Sequence, residues 1–254
     1  MDFPALTQRI AVNIKDFDAL TEVIRTRYRA GEGFALATVN LDHLVKLTHD
    51  KAFSDAYAKQ DFVVADGNPV VWLSRIAGQP VSLMPGSDLV VPLARLAAEE
   101  GVPVALIGTT DDALDAAGQA LQQHAPGLQI ADRIAPPFGF DPDSDGAEDV
   151  LKQAQSAGAR FCFLALGAPK QERLAARGRE LTPEMGFASI GASLDFLAGS
   201  QTRAPLWVRK LAMEWLWRLL GNPFRLAGRY ARCFAILPNL TRDALRQRRH
   251  TGRA

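Results

Sequence analysis

A lone carboxylate stands at the end of the apolar run Phe62-Val63-Val64-Ala65, with Gly67 and Pro69 close behind it. The run reads as a short buried strand, Gly67 permits a sharp turn, and Pro69 suits the first turn of a helix. In a parallel sheet, ligands bind beyond the carboxyl ends of the strands, so Asp66 is placed as a general base would be. The plainer role for it is an N-cap for the helix that follows.

Four other apolar runs end the same way, in small or polar turn formers: Thr38 and Asn40; Gly108, Thr109 and Thr110; Gly167, Pro169 and Gln171; Gly191, Ser193 and Asp195. Five such ends can line one crevice, and free backbone N–H groups at helix starts suit a diphosphate. The chain has neither G-x-x-x-x-G-K-[ST] nor G-x-G-x-x-G, which argues against a P-loop or an ordinary dinucleotide site.

Metal and nucleophile chemistry find less support. Asp141-Pro142-Asp143-Ser144-Asp145-Gly146 starts like a calcium loop, but Lys152 stands where a bidentate Glu is required. It also resembles the Asp-x-Asp of many metal-dependent sugar transferases, and a turn with a helix N-cap accounts for it equally well. The four histidines are scattered. His43 lies near Asn40 and can face the crevice, although a solvated helix position is the simpler expectation; His49, His124 and His250 suggest no triad. No metal or cofactor is called for.

The elements that must position these residues alternate. Strands are expected at Arg9 to Ile14, Phe34 to Val39, Phe62 to Ala65, Val102 to Ile107, Leu128 to Ile134, Phe161 to Leu166 and Gly186 to Ile190, with helical spacing between them. One of those helices is expected over Asp149 to Ala157. This predicts an α/β fold with a doubly wound, mainly parallel sheet. After Gly199 the pattern turns wholly helical, with breaks expected at Asn222-Pro223 and at Pro238. The expected division is a core over residues 1–199 and a helical C-terminal appendage over 200–254.

Charge supports that division. From Arg203 onward there are twelve basic residues and two acidic ones, about +10 against about −9 for the rest of the chain. Three of the four tryptophans, Trp207, Trp215 and Trp217, lie in the same segment. Trp and Leu beside Arg suit an anionic membrane surface, and snorkelling surface helices are the plainer alternative. Nucleic acid is disfavoured because no recognised binding motif accompanies the charge. The start of the chain lacks signal-peptide order, and Cys162 and Cys233 lie in unrelated contexts, which suits a cytoplasmic protein.

Several blocks stand in an order that resembles the WecG/TagA/CpsF family of bacterial glycosyltransferases. They are Thr38-Val39-Asn40-Leu41-Asp42, Ala65-Asp66-Gly67, Gly86-Ser87-Asp88, Gly167-Ala168-Pro169-Lys170-Gln171-Glu172, Gly191 to Gly199, Arg203-Ala204-Pro205 and Glu214 to Leu219. The chain departs from the usual pattern at Leu83, where an arginine is common, and at Pro136 to Phe140. The resemblance implies inverting, metal-independent transfer of a sugar from a UDP-sugar to a polyprenyl-diphosphate-linked saccharide, peripheral to the inner face of the plasma membrane. UDP-N-acetylmannosamine, its uronic acid and UDP-glucose stay open as donors. It further implies Asp66 as base, Thr38 and Asn40 beside it, Gln171 at the substrate, and the arginines Arg218, Arg225 and Arg203 on the diphosphate. A non-catalytic nucleotide-binding subunit of a polysaccharide assembly complex is the competing expectation, and homo-oligomerisation stays open.

Overall fold

The computed structural model describes residues 1–251. Six strands form one wholly parallel sheet: β3 (Phe34–Val39), β4 (Phe62–Ala65), β5 (Val104–Gly108), β6 (Ile130–Ile134), β7 (Phe161–Ala165) and β8 (Gly186–Ser189). Their order is β4-β3-β8-β7-β5-β6. Nearly every residue of β3, β4, β5, β7 and β8 is buried, which is why these strands read as apolar runs without alternation. The expected first strand is shorter and lies elsewhere: β2 (Arg9–Ala11) pairs antiparallel with β1 (Asp2–Pro4), outside the main sheet.

Helices cover both faces. α1 (Phe17–Ala30), α5 (Gly86–Glu99) and α6 (Asp111–His124) pack on one face through Leu20, Ile24, Leu89, Leu93, Leu114 and Leu121. α2 (Leu41–Leu47), α3 (Lys51–Ala58), α4 (Asn68–Ile76), α7 (Asp145–Ser156) and α8 (Lys170–Leu181) take the other. The doubly wound α/β expectation holds. α7 begins at Asp145, four residues before the expected Asp149, with Ser144 as N-cap.

After the short α9 (Ser193–Leu197) come α10 (Leu206–Lys210), α11 (Glu214–Gly221) and α12 (Pro223–Thr251). Pro223 opens α12, as expected, but Pro238 does not break it. A proline removes one helical hydrogen bond and costs about 3 kcal/mol. Here Ile236, Leu237, Leu240 and Ala244 lie on both sides of it and pack into the core with Leu44, Val70 and Val71, so tertiary burial keeps the helix whole. Leu240 and Ala244 are buried against the sheet-flanking helices, and Arg229 of α12 reaches Asp42 of α2 at 2.7 Å. Arg253 and the side chain of His250 lie outside the described residues.

Candidate active site

Asp66 does not cap α4. The N-cap is Gly67, at φ 113°, and no side chain caps that helix. Instead the Asp66 backbone N–H donates to Val39 O at 2.8 Å, extending the β3–β4 ladder by one bond. Its carboxylate accepts from Asn40 Nδ2 at 3.3 Å. Burial pushes the Asp66 carboxyl above the usual range, opposed by the Asn40 hydrogen bond and by the positive charges of Arg218 and Arg203; Glu214 pushes it up further. Two appendage arginines therefore act on a carboxylate at the end of a core strand.

Asn40 is held from its other side, because its Oδ1 caps α2 by accepting from His43 N at 3.0 Å. Thr38, buried at the end of β3, fixes a second tie: Tyr57 Oη donates to Thr38 O at 2.9 Å. A carbonyl accepts only, so Tyr57 spends its proton there and His43 Nδ1, 2.7 Å away, must be the donor to Tyr57. His43 is thus a neutral core histidine, with burial driving its pKa down to about 3. Neither the crevice nor the solvated position expected of it is occupied, since its ring stacks edge-on to Phe53 and Tyr57.

The remaining turns are tied to one another. Gly108, at φ 135°, sits where a Cβ would lie 2.4 Å from Ala165 O, so only glycine fits between β5 and β7. Thr109, at φ 44°, donates its hydroxyl to Asp195, which joins the β5–α6 turn to α9. Gly167, at φ 70°, precedes a cis Ala168-Pro169 bond at the start of α8. Ser193 is buried and bonds Ile190 O, while a Cβ on Gly191 would meet open space. Gln171 is 2% exposed: its Oε1 accepts from Gly191 N at 3.0 Å and its Nε2 donates to Glu172 Oε1 at 2.8 Å. Sequence reasoning missed Glu172, whose carboxyl is wholly buried and pushed up to about 7 by desolvation, the Gln171 bond opposing. Its place beside Gln171 in the motif was the available signal. Tyr57 gave none.

The appendage arginines separate. Arg203 pairs with Asp88 at the start of α5, and its buried Nε has no hydrogen-bond partner among the described residues. Arg218 pairs with Glu214 at 2.6 Å within α11. Arg225 instead lines a basic cleft between α2 and α12, with Asp42, Lys46, Arg229 and Arg232. In the acidic loop, Asp141 Oδ1 accepts from Asp143 N at 3.1 Å and Arg173 pairs with Asp143, so it is a turn leading into a helix. Among the described residues no group of His, Cys, Asp and Glu is arranged to hold a metal ion.

A parallel sheet with a desolvated carboxylate at one strand end and glycine turns at the others forms the kind of crevice in which α/β proteins bind their ligands. The model for the glycosyl transferase WecG/TagA/CpsF family matches residues 7–251, and the chain belongs to that family. It is a glycosyltransferase. Over 198 residues, 76% of this chain and 73% of the relative, it is 30% identical to the N-acetylglucosaminyldiphosphoundecaprenol N-acetyl-beta-D-mannosaminyltransferase of Bacillus subtilis (strain 168). It is 28% identical over 222 residues, 84% of this chain and 85% of the relative, to the enzyme of the same name from Staphylococcus aureus (strain NCTC 8325 / PS 47).

Proposed function

We propose that the protein transfers an N-acetylhexosamine of the mannosamine type, or a hexose such as glucose, from a UDP-sugar to a polyprenyl-diphosphate-linked saccharide. The carrying observation is Asp66, a desolvated carboxylate oriented by Asn40 and under the charges of Arg218 and Arg203. The names of the relatives supply the substrate class.

In this reading Asp66 takes the proton of the acceptor hydroxyl as that oxygen attacks C1 from the face opposite the departing UDP, giving inversion. Thr38 and Asn40 fix the carboxylate and the acceptor. The leaving diphosphate gathers negative charge, which Arg218 and Arg203 offset with charge-assisted hydrogen bonds in place of a metal ion. The turns at Gly108, Thr109, Gly167, Pro169, Gly191, Ser193 and Asp195 hold the nucleotide end. Gln171 works from behind them, since both ends of its amide are committed to Glu172 and Gly191. The segment after Gly199 acts as an appendage that completes the site at an anionic membrane surface, and closure there excludes water from the UDP-sugar. No helix among the described residues is long and apolar enough to cross a membrane, which suits peripheral attachment at the inner face.

A donor screen tests the reading: UDP-N-acetylmannosamine, its uronate and UDP-glucose, each with a synthetic polyprenyl-diphosphate N-acetylglucosamine and with EDTA present. Acceptor-dependent UDP release with one donor supports it. Nucleotide binding without turnover for every donor would remove these donors and this acceptor from the reading.

A further inference from the structure

α2 and α12 meet in a cleft of about 370 Å³ lined by Asp42, Lys46, Arg225, Leu226, Arg229 and Arg232. Four cations surround one carboxylate. Asp42 binds Lys46 at 2.8 Å and Arg229 at 2.7 Å, so two of the cations are held in place before any ligand arrives. Arg225 and Arg232 are exposed and form no ion pair among the described residues. Arg225, Arg229 and Arg232 follow an i, i+4, i+7 spacing, which stacks three like charges on one helix face. Such spacing destabilises a helix by a few tenths of a kcal/mol per pair, roughly, so fold stability does not account for it. An anion does.

The position says which anion. α2 starts directly after Asn40, whose amide holds Asp66. Asp42 and Lys46 stand about 3 and about 9 Å further along the helix axis, at 1.5 Å per residue. The cleft and the proposed base are thus joined through one short helix, whose N-cap, Asn40, also holds Asp66. The cleft also lies toward the β4–β3 edge of the sheet, whereas Gly108, Gly167 and Gly191 follow β5, β7 and β8 on the other side of β3. Phe224, next to Arg225 in sequence, and Leu220, at the end of α11, are 100% and 73% exposed.

We propose that this cleft is the subsite for the diphosphate of a polyprenyl-diphosphate-linked acceptor, with Lys46, Arg229 and Arg232 on the diphosphate oxygens. The inference rests on the transferase reading above and extends it to a second anion site, distinct from the one that holds the donor. Separate cation clusters keep two mutually repelling diphosphates apart while one sugar hydroxyl reaches Asp66. The exposed Leu220 and Phe224 meet the first prenyl units.

The test uses the full chain and two vesicle populations matched in surface charge. Both are phosphatidylcholine, one doped with undecaprenyl diphosphate and the other with phosphatidylglycerol. Wild type is expected to bind the diphosphate vesicles about tenfold more tightly, the yield of a preorganised charge-assisted contact. Lys46→Ala/Arg232→Ala and, separately, Arg232→Glu are expected to lose that preference while keeping UDP affinity. Arg232 is exposed and unpaired, so its variant reports on the cleft with the fold intact. Equal binding of wild type to both vesicles would make the cleft a general anionic surface and overturn the proposal. A retained preference in both variants overturns it too, as does a parallel loss of UDP affinity, which would assign the cleft to the donor. Sugar transfer is read separately. Diphosphate preference without transfer keeps the cleft and removes the proposed donor and acceptor pairing; transfer with an unchanged acceptor KM in both variants does the reverse.

Discussion

Asp66 is half-buried and Glu172 wholly buried, both near the strand ends, and their surroundings give them opposite uses. Asp66 is raised by burial yet retains one donor, Asn40, and two nearby arginines, so it can ionise and still take a proton. In the proposed reaction its ionised form is the active one. kcat/KM should therefore fall as pH drops through a value above the ordinary carboxylate range, and Asp66→Asn should remove that limb of the profile. In the same variant turnover should fall about 10² to 10⁴-fold with UDP-sugar affinity nearly intact, the usual contribution of a positioned base. Near-normal turnover would take the role from Asp66. Glu172 has one oxygen on Gln171 and the other without a partner among the described residues, which favours the neutral acid. Its folded value of about 7 exceeds the ordinary 4.5, so the native state holds that proton more tightly than the unfolded one. The penalty for ionising it is absent below the unfolded value and grows as pH rises through the folded one. Glu172→Gln should therefore gain on wild type between pH values near 5 and near 8, by about 3 kcal/mol at most. Chemical denaturation of both proteins at the two pH values decides it, and a constant difference would mean that Glu172 does not titrate in this window.

At the scale of elements, the core was legible because wholly buried parallel strands have an unmistakable pattern, and the glycines at 67, 108, 167 and 191 mark where the chain must turn at positive φ. What escaped was set by contacts between distant segments. Nothing in the spacing of Tyr57 and His43 says that they join beneath Thr38, and a histidine near Asn40 gives the same sequence signal whether it faces a crevice or a core. Pro238 is the same lesson in the backbone: the local rule ends a helix, and the apolar residues flanking it override the rule. Candidate arginines were legible as a group but not by destination, since Arg218 lies within charge range of Asp66 and Arg225 lies in the cleft with Lys46. The docking of α12 also ties the expected appendage to the core. Leu240 and Ala244 fill the α2–α4 face, so removing everything after Gly199 uncovers part of the core. Leu240→Ala should lower unfolding stability by about 2 to 5 kcal/mol, the range for a buried leucine, seen as a reduced urea midpoint. A change under roughly 0.5 kcal/mol, typical of surface positions, would show that this half of α12 is not packed as described.

Over the whole molecule, the appendage divides by what its side chains touch. Trp215 packs edge-on against Tyr230 and Phe234, at ring-centre distances of 5.8 and 5.2 Å, and so fastens α11 to α12. Leu206, Trp207, Leu211 and Leu220 are each more than 60% exposed, and Trp217 is 43% exposed. α11 buries none of its residues. One half of the appendage is thus anchored to the sheet-flanking helices while the other carries apolar side chains and arginines into solvent, the combination that suits the interface of an anionic bilayer. Two forces would act there, and they separate experimentally. Each arginine near the surface contributes about 1 kcal/mol, screened by salt, whereas the burial of Trp and Leu is insensitive to moderate salt. Co-sedimentation with phosphatidylglycerol vesicles should therefore weaken steeply as ionic strength rises. Trp207→Ser/Trp217→Ser should weaken it at every ionic strength, leaving the melting temperature unchanged because neither ring is buried. Salt-sensitive binding that ignores the double variant would reduce the appendage to an electrostatic patch. A wild type that self-associates in solution, and whose association the double variant abolishes, would instead assign the exposed tryptophans to a second copy of this chain.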